Sequence, residues 1–200
     1  LTTLFLSALT LAFHVEPADA SATIHINANG SVTPAGAPIA TSDSITYTFT
    51  GDITYSAYSG IVVQRSNIII DGKGHTLQGN GSGNGLNLTL VNNVTIKNTN
   101  INSFLNGIKL NHSSSSTISG NSIANNSYGI ELFSSSGNSA SANNIKTNGY
   151  GIQLNSSSSN SIDGNTITSN NNYGIWLEPS SNNNTVNRNN IANNGYGIWI

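Results

Sequence analysis

Few side chains in this chain are equipped for chemistry. Its 200 residues include eight Asp and Glu, six Lys and Arg, four His, and neither Cys nor Met. Hydrolysis of a glycosidic bond needs two carboxylates, about 5–5.5 Å apart for retention or about 6.5–9.5 Å for inversion. From residue 60 onward the acidic residues are Asp71, Glu131, Asp163 and Glu178. Binding a sugar needs less: flat aromatic faces rimmed by hydrogen-bonding groups. Trp176 and Trp199, with Gln153, Asn155, Glu131 and Glu178, are residues of that kind. Which of these side chains meet depends on the elements that carry them.

Those elements announce themselves by repetition. Gly107-Ile108, Gly129-Ile130, Gly151-Ile152, Gly174-Ile175 and Gly197-Ile198 recur at gaps of 22, 22, 23 and 23, each followed by one variable residue and then Leu or Ile. Gly85-Leu86 extends the series by another 22 and Gly60-Ile61 by 25. Such an array buries its apolar faces by stacking each repeat on the next. Within a repeat, Ile130 and Leu132 alternate with Glu131 and Phe133, as in a strand with one buried face. Ile118 and Ile123 mark two further pulses separated by Gly120-Asn121. Three strands and three turns in about 22 residues leave no room for a helical face, which needs at least about ten. The predicted fold is therefore all-β: a right-handed parallel β-helix, a solenoid with three strands in each coil.

Two columns of Asn support that reading. Asn121, Asn143, Asn165 and Asn189 share one turn position, and Asn126, Asn148, Asn170 and Asn194 another. Stacking at the ~4.7–4.9 Å strand spacing would let their amides bond above and below, and Asn also tolerates the left-handed backbone of a sharp turn. A ligand site does not repeat in every coil, so these are read as structural ladders. Tyr128, Tyr150, Tyr173 and Tyr196 form a further column, read as an aromatic ladder.

Only 7% of residues are charged and the formal charge is −2. Arg65, Lys73, Lys97, Lys109, Lys146 and Arg188 are scattered, which argues against nucleic acid or anionic lipid as a partner. Disulfides are excluded by composition. Leu1–Phe13 is apolar and is followed by Ala18-Asp19-Ala20, the pattern of a secretory signal and its cleavage site. Thirteen residues are too few for the ~20 of a membrane span. The expected organisation is a signal segment over 1–20, an N-terminal cap with irregular first strands over 21–59, and coils over 60–200. Because Ile200 falls inside a strand and no terminal cap covers it, the chain is expected to be a fragment of a longer exported protein.

The string Ile68-Ile69-Ile70-Asp71-Gly72-Lys73-Gly74-His75-Thr76-Leu77-Gln78-Gly79, with the downstream runs ISGNSIANNSYGIEL and IDGNTITSNNNYGIWL, resembles the NosD-like branch of the pectin-lyase-fold proteins. The resemblance covers residues 21–200. It implies exported proteins, among which are lyases, glycosidases, epimerases, adhesins and structural modules, so it speaks to fold more than to activity. It also implies that the sharp Asn turn lies between the second and third sheets. Gly-Ile-x-Leu then forms the first sheet, whose outer face carries the substrate groove.

One outward column on that sheet would be Asn87, Lys109, Glu131, Gln153, Trp176 and Trp199, and the next Thr89, Asn111, Phe133, Asn155 and Glu178. Glu131 and Glu178 would stand roughly 12 Å apart by the ~4.8 Å coil and ~3.3 Å residue spacings, too far for hydrolysis. Asp71 and Asp163 fall just before the second turn, where Ser119, Ser141 and Asn187 stand in other coils, and are read as turn residues. His75 is read as supporting its own glycine-flanked turn. The acidic motifs of polygalacturonases and calcium-dependent lyases are missing, so no catalytic residue is assigned. The NosD name carries an association with copper, but copper sites want Cys, Met or clustered imidazole. His25, His75 and His112 lie on separate segments, and no metal or cofactor is expected.

A binding surface is what this leaves. Trp176 and Trp199 would stack one coil apart, flanked by Gln153, Asn155, Glu178 and Glu131, either as a platform for sugar rings, or merely as a stacked pair, or as residues covered by further C-terminal coils. Three readings follow. The first is a non-catalytic exported module, secreted, periplasmic or at the cell surface, whose partner is a polysaccharide or surface glycan. The second is a fragment of a polysaccharide lyase or glycosidase with its catalytic coils beyond residue 200, and the third a structural stalk or adhesin.

Overall fold

The computed structural model describes residues 21–200; the segment read as an export signal, 1–20, lies outside them. Strands are the regular structure of the described residues, and no helix among them is long and apolar enough to cross a membrane. Each coil visits three sheets in turn. Asn106–Asn111 lies in the first, Thr117–Ser119 in the second and Ser122–Ala124 in the third, before Tyr128–Phe133 returns to the first one layer on. The sheets hold nine, eight and seven strands. Pairing between successive coils is parallel, with Ile108 against Leu86 and Ile130, Ile118 against Ile96, and Ile123 against Ile101. This is the parallel β-helix that the 22-residue period predicts.

The core is a set of columns. Leu86, Ile108, Ile130, Ile152 and Ile175 rise through the first sheet, all completely buried. Leu77, Ile101, Ile123, Ile145 and Ile167 do the same in the third. Each such side chain contributes about 1.5–3 kcal/mol of burial. The second sheet has one short rung, where Ala140 stands between Ile118 and Ile162. A void of about 10 Å³ lies beside it, lined also by Leu132, Ile152 and Leu154.

The recurrent glycine has a steric cause. At Gly107 a Cβ would lie 2.7 Å from the Gly129 carbonyl oxygen, and at Gly129 it would lie 2.6 Å from that of Gly151. Both positions also face Ile side chains of the third sheet. Gly and the following Ile are thus both buried, and the tyrosine before them is turned toward the outside.

From His112 onward the corners of the solenoid share one device. A residue in left-handed conformation is followed by a polar residue that ties the coils together, where the coil before has the buried apolar residues Val91, Val94 and Phe104. Gly120 (φ 64°), Ala142 (φ 53°), Gly164 (φ 64°) and Arg188 (φ 52°) precede Asn121, Asn143, Asn165 and Asn189. The ladder Asn is therefore not itself left-handed, contrary to the expectation from its conformational tolerance; its side chain is committed to hydrogen bonding and the preceding residue takes the strained backbone. Asn121 Nδ2 donates to Asn143 Oδ1 at 3.0 Å, Asn143 to Asn165 at 3.0 Å and Asn165 to Asn189 at 2.9 Å. The column from Asn126 to Asn194 repeats this at 3.0, 3.1 and 2.8 Å. A third ladder, Asn138, Asn160 and Asn184, runs at 3.2 and 3.1 Å. At the remaining corner Ser113, Ser135 and Ser157 link backbone N–H to hydroxyl.

Parallel stacking begins before Gly60. Ala22–Ile26, Thr46–Phe49 and Ile53–Thr54 pair parallel with strands of the following coil. An excursion over residues 27–45 interrupts this first coil, and its short strands Val32–Thr33 and Ile39–Ala40 pair antiparallel. Insertion of the excursion conceals the period over 21–59.

Candidate functional site

The outer face of the first sheet carries the outward columns expected of it. Register places Asn87, Lys109, Glu131, Gln153, Trp176 and Trp199 in one row, and Thr89, Asn111, Phe133 and Asn155 in the next. Beside the first row stand Tyr128, Tyr150, Tyr173 and Tyr196, turned outward by the glycine that follows each.

The aromatic residues form one cluster. Tyr128 and Tyr150 are stacked, centroids 4.8 Å apart at 9°, and the ladder continues through Tyr173 at 5.7 Å and Tyr196 at 5.2 Å. The two tryptophans do not simply stack on each other: although their backbones pair, their rings lean sideways onto the tyrosines. Trp176 lies 5.2 Å from Tyr150 and 5.4 Å from Tyr173, and Trp199 lies 5.4 Å from Tyr173 and 5.7 Å from Tyr196. Sequence reasoning separated the Tyr ladder from the Trp pair. The signal that could have joined them is that Tyr and Trp sit three residues apart in the same coils, with the intervening glycine forcing both outward.

The polar row is equally connected. Lys109 Nζ lies 2.8 Å from Glu131 Oε2. Gln153, almost fully buried, donates from Nε2 to Glu178 Oε1, and Asn155 Nδ2 donates to Glu178 Oε2 at 2.8 Å. The strand ends at Leu177 and Pro179 follows, and Glu178, next in line beside Asn155, turns its carboxylate to both Asn155 and Gln153 of the coil before. Its backbone N–H donates to the Leu154 carbonyl at 2.8 Å. Gln153 thus stands between the two carboxylates, its backbone paired with Glu131 and its amide bonded to Glu178. The simple column geometry that set them two coils apart omits this reach. Both carboxylates are occupied, one by an ammonium and the other by two amides. Burial first, then Tyr150, Glu131 and Glu178, pushes the Tyr128 phenol above its usual value of 10.0, consistent with these groups converging on one surface.

At its N-terminal side the same face opens into a cleft of about 260 Å³, bordered by Thr23, Tyr55, Ser59, Ser82, Asn84 and Asn87. Sequence reasoning did not find it, because it is built by the concealed first coil and the glycine-rich loop near Gly83.

The other chemically able residues lie elsewhere. Asp71 and Asp163 share the second-sheet column with Lys97, Ser119, Ser141 and Asn187. Asp71 is buried, which pushes its carboxyl upward; the Lys73 N–H, the Asn98 amide and the ammonium groups of Lys73 and Lys97 outweigh this and hold it below 3.8. Asp163 accepts from the Arg188 guanidinium, which lowers it likewise. His75 Nδ1 is 3.3 Å from Asp52, whose carboxylate also accepts the Thr76 N–H at 2.8 Å. His25 lies in the first strand, and His112 packs edge-on to Phe133 at 6.0 Å.

Residues 59–200 match the sequence model of the right-handed β-helix region, and the chain belongs to that family. Solved structures with the same fold include a variant of the periplasmic alginate epimerase AlgG, 24% identical with a TM-score of 0.60, over 65% of this chain and 32% of that one. Another is the A-module of the mannuronan C-5 epimerase AlgE4 from Azotobacter vinelandii, 19% identical with a TM-score of 0.57, over 70% of this chain and 49% of that one. The aligned part spans between a third and a half of these structures, and the likeness is one of fold. Among curated proteins none matches at significance.

Proposed function

We propose that this chain is an exported β-helix module that binds a glycan on the outer face of its first sheet. One observation carries the reading: the rings of Tyr150, Tyr173, Trp176 and Trp199 form a continuous aromatic surface beside a row of amides and carboxylates. Sugar recognition needs that pairing of apolar faces and hydrogen-bonding rim. Binding is favoured over catalysis in these coils because Glu131 and Glu178 are already engaged. The names of the structural neighbours, alginate and mannuronan epimerases, support a polysaccharide as the class of partner. The word periplasmic in one of them accords with the apolar segment at 1–20. The strings around Asp71 and Asp163 support placement in the NosD-like branch.

A glycan array probed with the full chain tests this. Trp176→Ala and Tyr150→Ala should each weaken binding by about 0.5–1.5 kcal/mol or more, the scale of an aromatic contact beyond its area. Unfolding temperature should fall less than for Leu154→Ala, whose fully buried side chain is worth about 2–5 kcal/mol. Absence of binding across the array, or Trp176→Ala unfolding as readily as Leu154→Ala, would leave the stalk reading. The enzyme reading draws support from the fold shared with the epimerases. Release of shortened or unsaturated products from a bound glycan, followed by mass spectrometry, would establish it in place of simple binding.

A further inference from the structure

Resting on the glycan reading, we infer that the ligand of this face is a neutral glycan and not a polyuronate. All six Lys and Arg lie among the described residues, and five are away from this face. Arg65 donates to the Ser44 and Ala28 carbonyls, Lys73 and Lys97 flank Asp71, Arg188 holds Asp163, and Lys146 is in the third sheet. Lys109 alone stands in the outward row, and it is paired with Glu131 at 2.8 Å.

Against that single, neutralised ammonium stand two carboxylates. Glu178 has amide partners but no cation to balance it. The row from Lys109 to Trp199 is neutral by itself, and Glu178, bonded to Gln153 and Asn155 at its edge, leaves the face with a net negative charge. The cleft that continues the face is bordered by hydroxyls, amides and the Tyr55 ring, with no charged side chain among them. A polyuronate brings one carboxylate per ring, each needing a charge-assisted donor to replace its water. This surface supplies none and opposes the chain with like charge, which is the usual means of rejecting a wrong partner. A neutral ring meets amides and aromatic faces at no such cost.

The test uses charge as the variable. Mannuronate and galacturonate hexamers and their methyl esters, which keep the ring and linkage but lose the charge, are titrated calorimetrically into the full chain at low and physiological salt. For a pair that binds, the ester should bind at least about tenfold more tightly at low salt, with the gap narrowing as salt screens it. Glu131→Gln releases Lys109 and should raise the affinity of the free acid relative to its ester by about tenfold. Acids binding as tightly as their esters, or a ratio unmoved by Glu131→Gln, would overturn the inference while leaving glycan binding intact. Silence from both pairs and from the array would instead remove the glycan reading, and the inference with it.

Discussion

At the scale of single residues, Asn148 shows what a buried amide does in this molecule. It is fully buried, and its Nδ2 donates to the Ile123 carbonyl and to Asn170 Oδ1, each at 3.1 Å. Its Oδ1 accepts both the backbone N–H and the side-chain Nδ2 of Asn126 at 3.0 Å. Alanine here would strand groups on the coils before and after it, and each unsatisfied buried group costs about 1–3 kcal/mol. Asn148→Ala is expected to lower stability by about 2–5 kcal/mol, measured by chemical denaturation. Lys146→Ala, two residues earlier but exposed and in ordinary strand conformation, should change it by less than about 1 kcal/mol. Equal losses at the two sites would mean that the ladder is decoration.

At the scale of strands and turns, the Gly-Ile-x-Leu phrase made the coil legible, because the steric demand at glycine and the burial of Ile and Leu recur in every layer. The outward row from Asn87 to Trp199 followed from alternation alone once that strand was placed. What escaped has identifiable causes. Glu178 keeps its place beside Asn155, but no periodicity records a carboxylate that also turns across to Gln153. The third Asn ladder was hidden in Ser-rich turns, where Asn138 and Asn160 resemble their neighbours in composition. The first coil was masked by its own excursion over 27–45. The short rung at Ala140 gives an element-scale prediction. Ala140→Ile should complete the stack between Ile118 and Ile162 and raise stability by about 0.5–2 kcal/mol, as cavity-filling changes do. A lowered unfolding midpoint would show that Leu132 and Leu154 already occupy the space that Ile needs.

At the scale of the whole molecule, each coil touches only the coils before and after it, so stability is close to a sum of like interfaces. The Asn ladders make those interfaces directional. The side-chain to side-chain bonds all run one way, each amide donating to the Asn oxygen of the next coil as Asn126 does to Asn148 and Asn148 to Asn170, while the same amide also holds a carbonyl of the coil before, as Asn148 holds Ile123. Pulled from its two ends, such a column should resist as a zipper does and give way one tooth at a time. A coil of 22 or 23 residues corresponds to a contour of roughly 75 Å at ~3.3–3.6 Å per residue. A single molecule stretched by optical tweezers should therefore lengthen in nearly equal steps of about that size. One long rip would instead mark a body that breaks as a unit. A graded response would suit a module tethered to a surface glycan, since it would yield under shear without letting go.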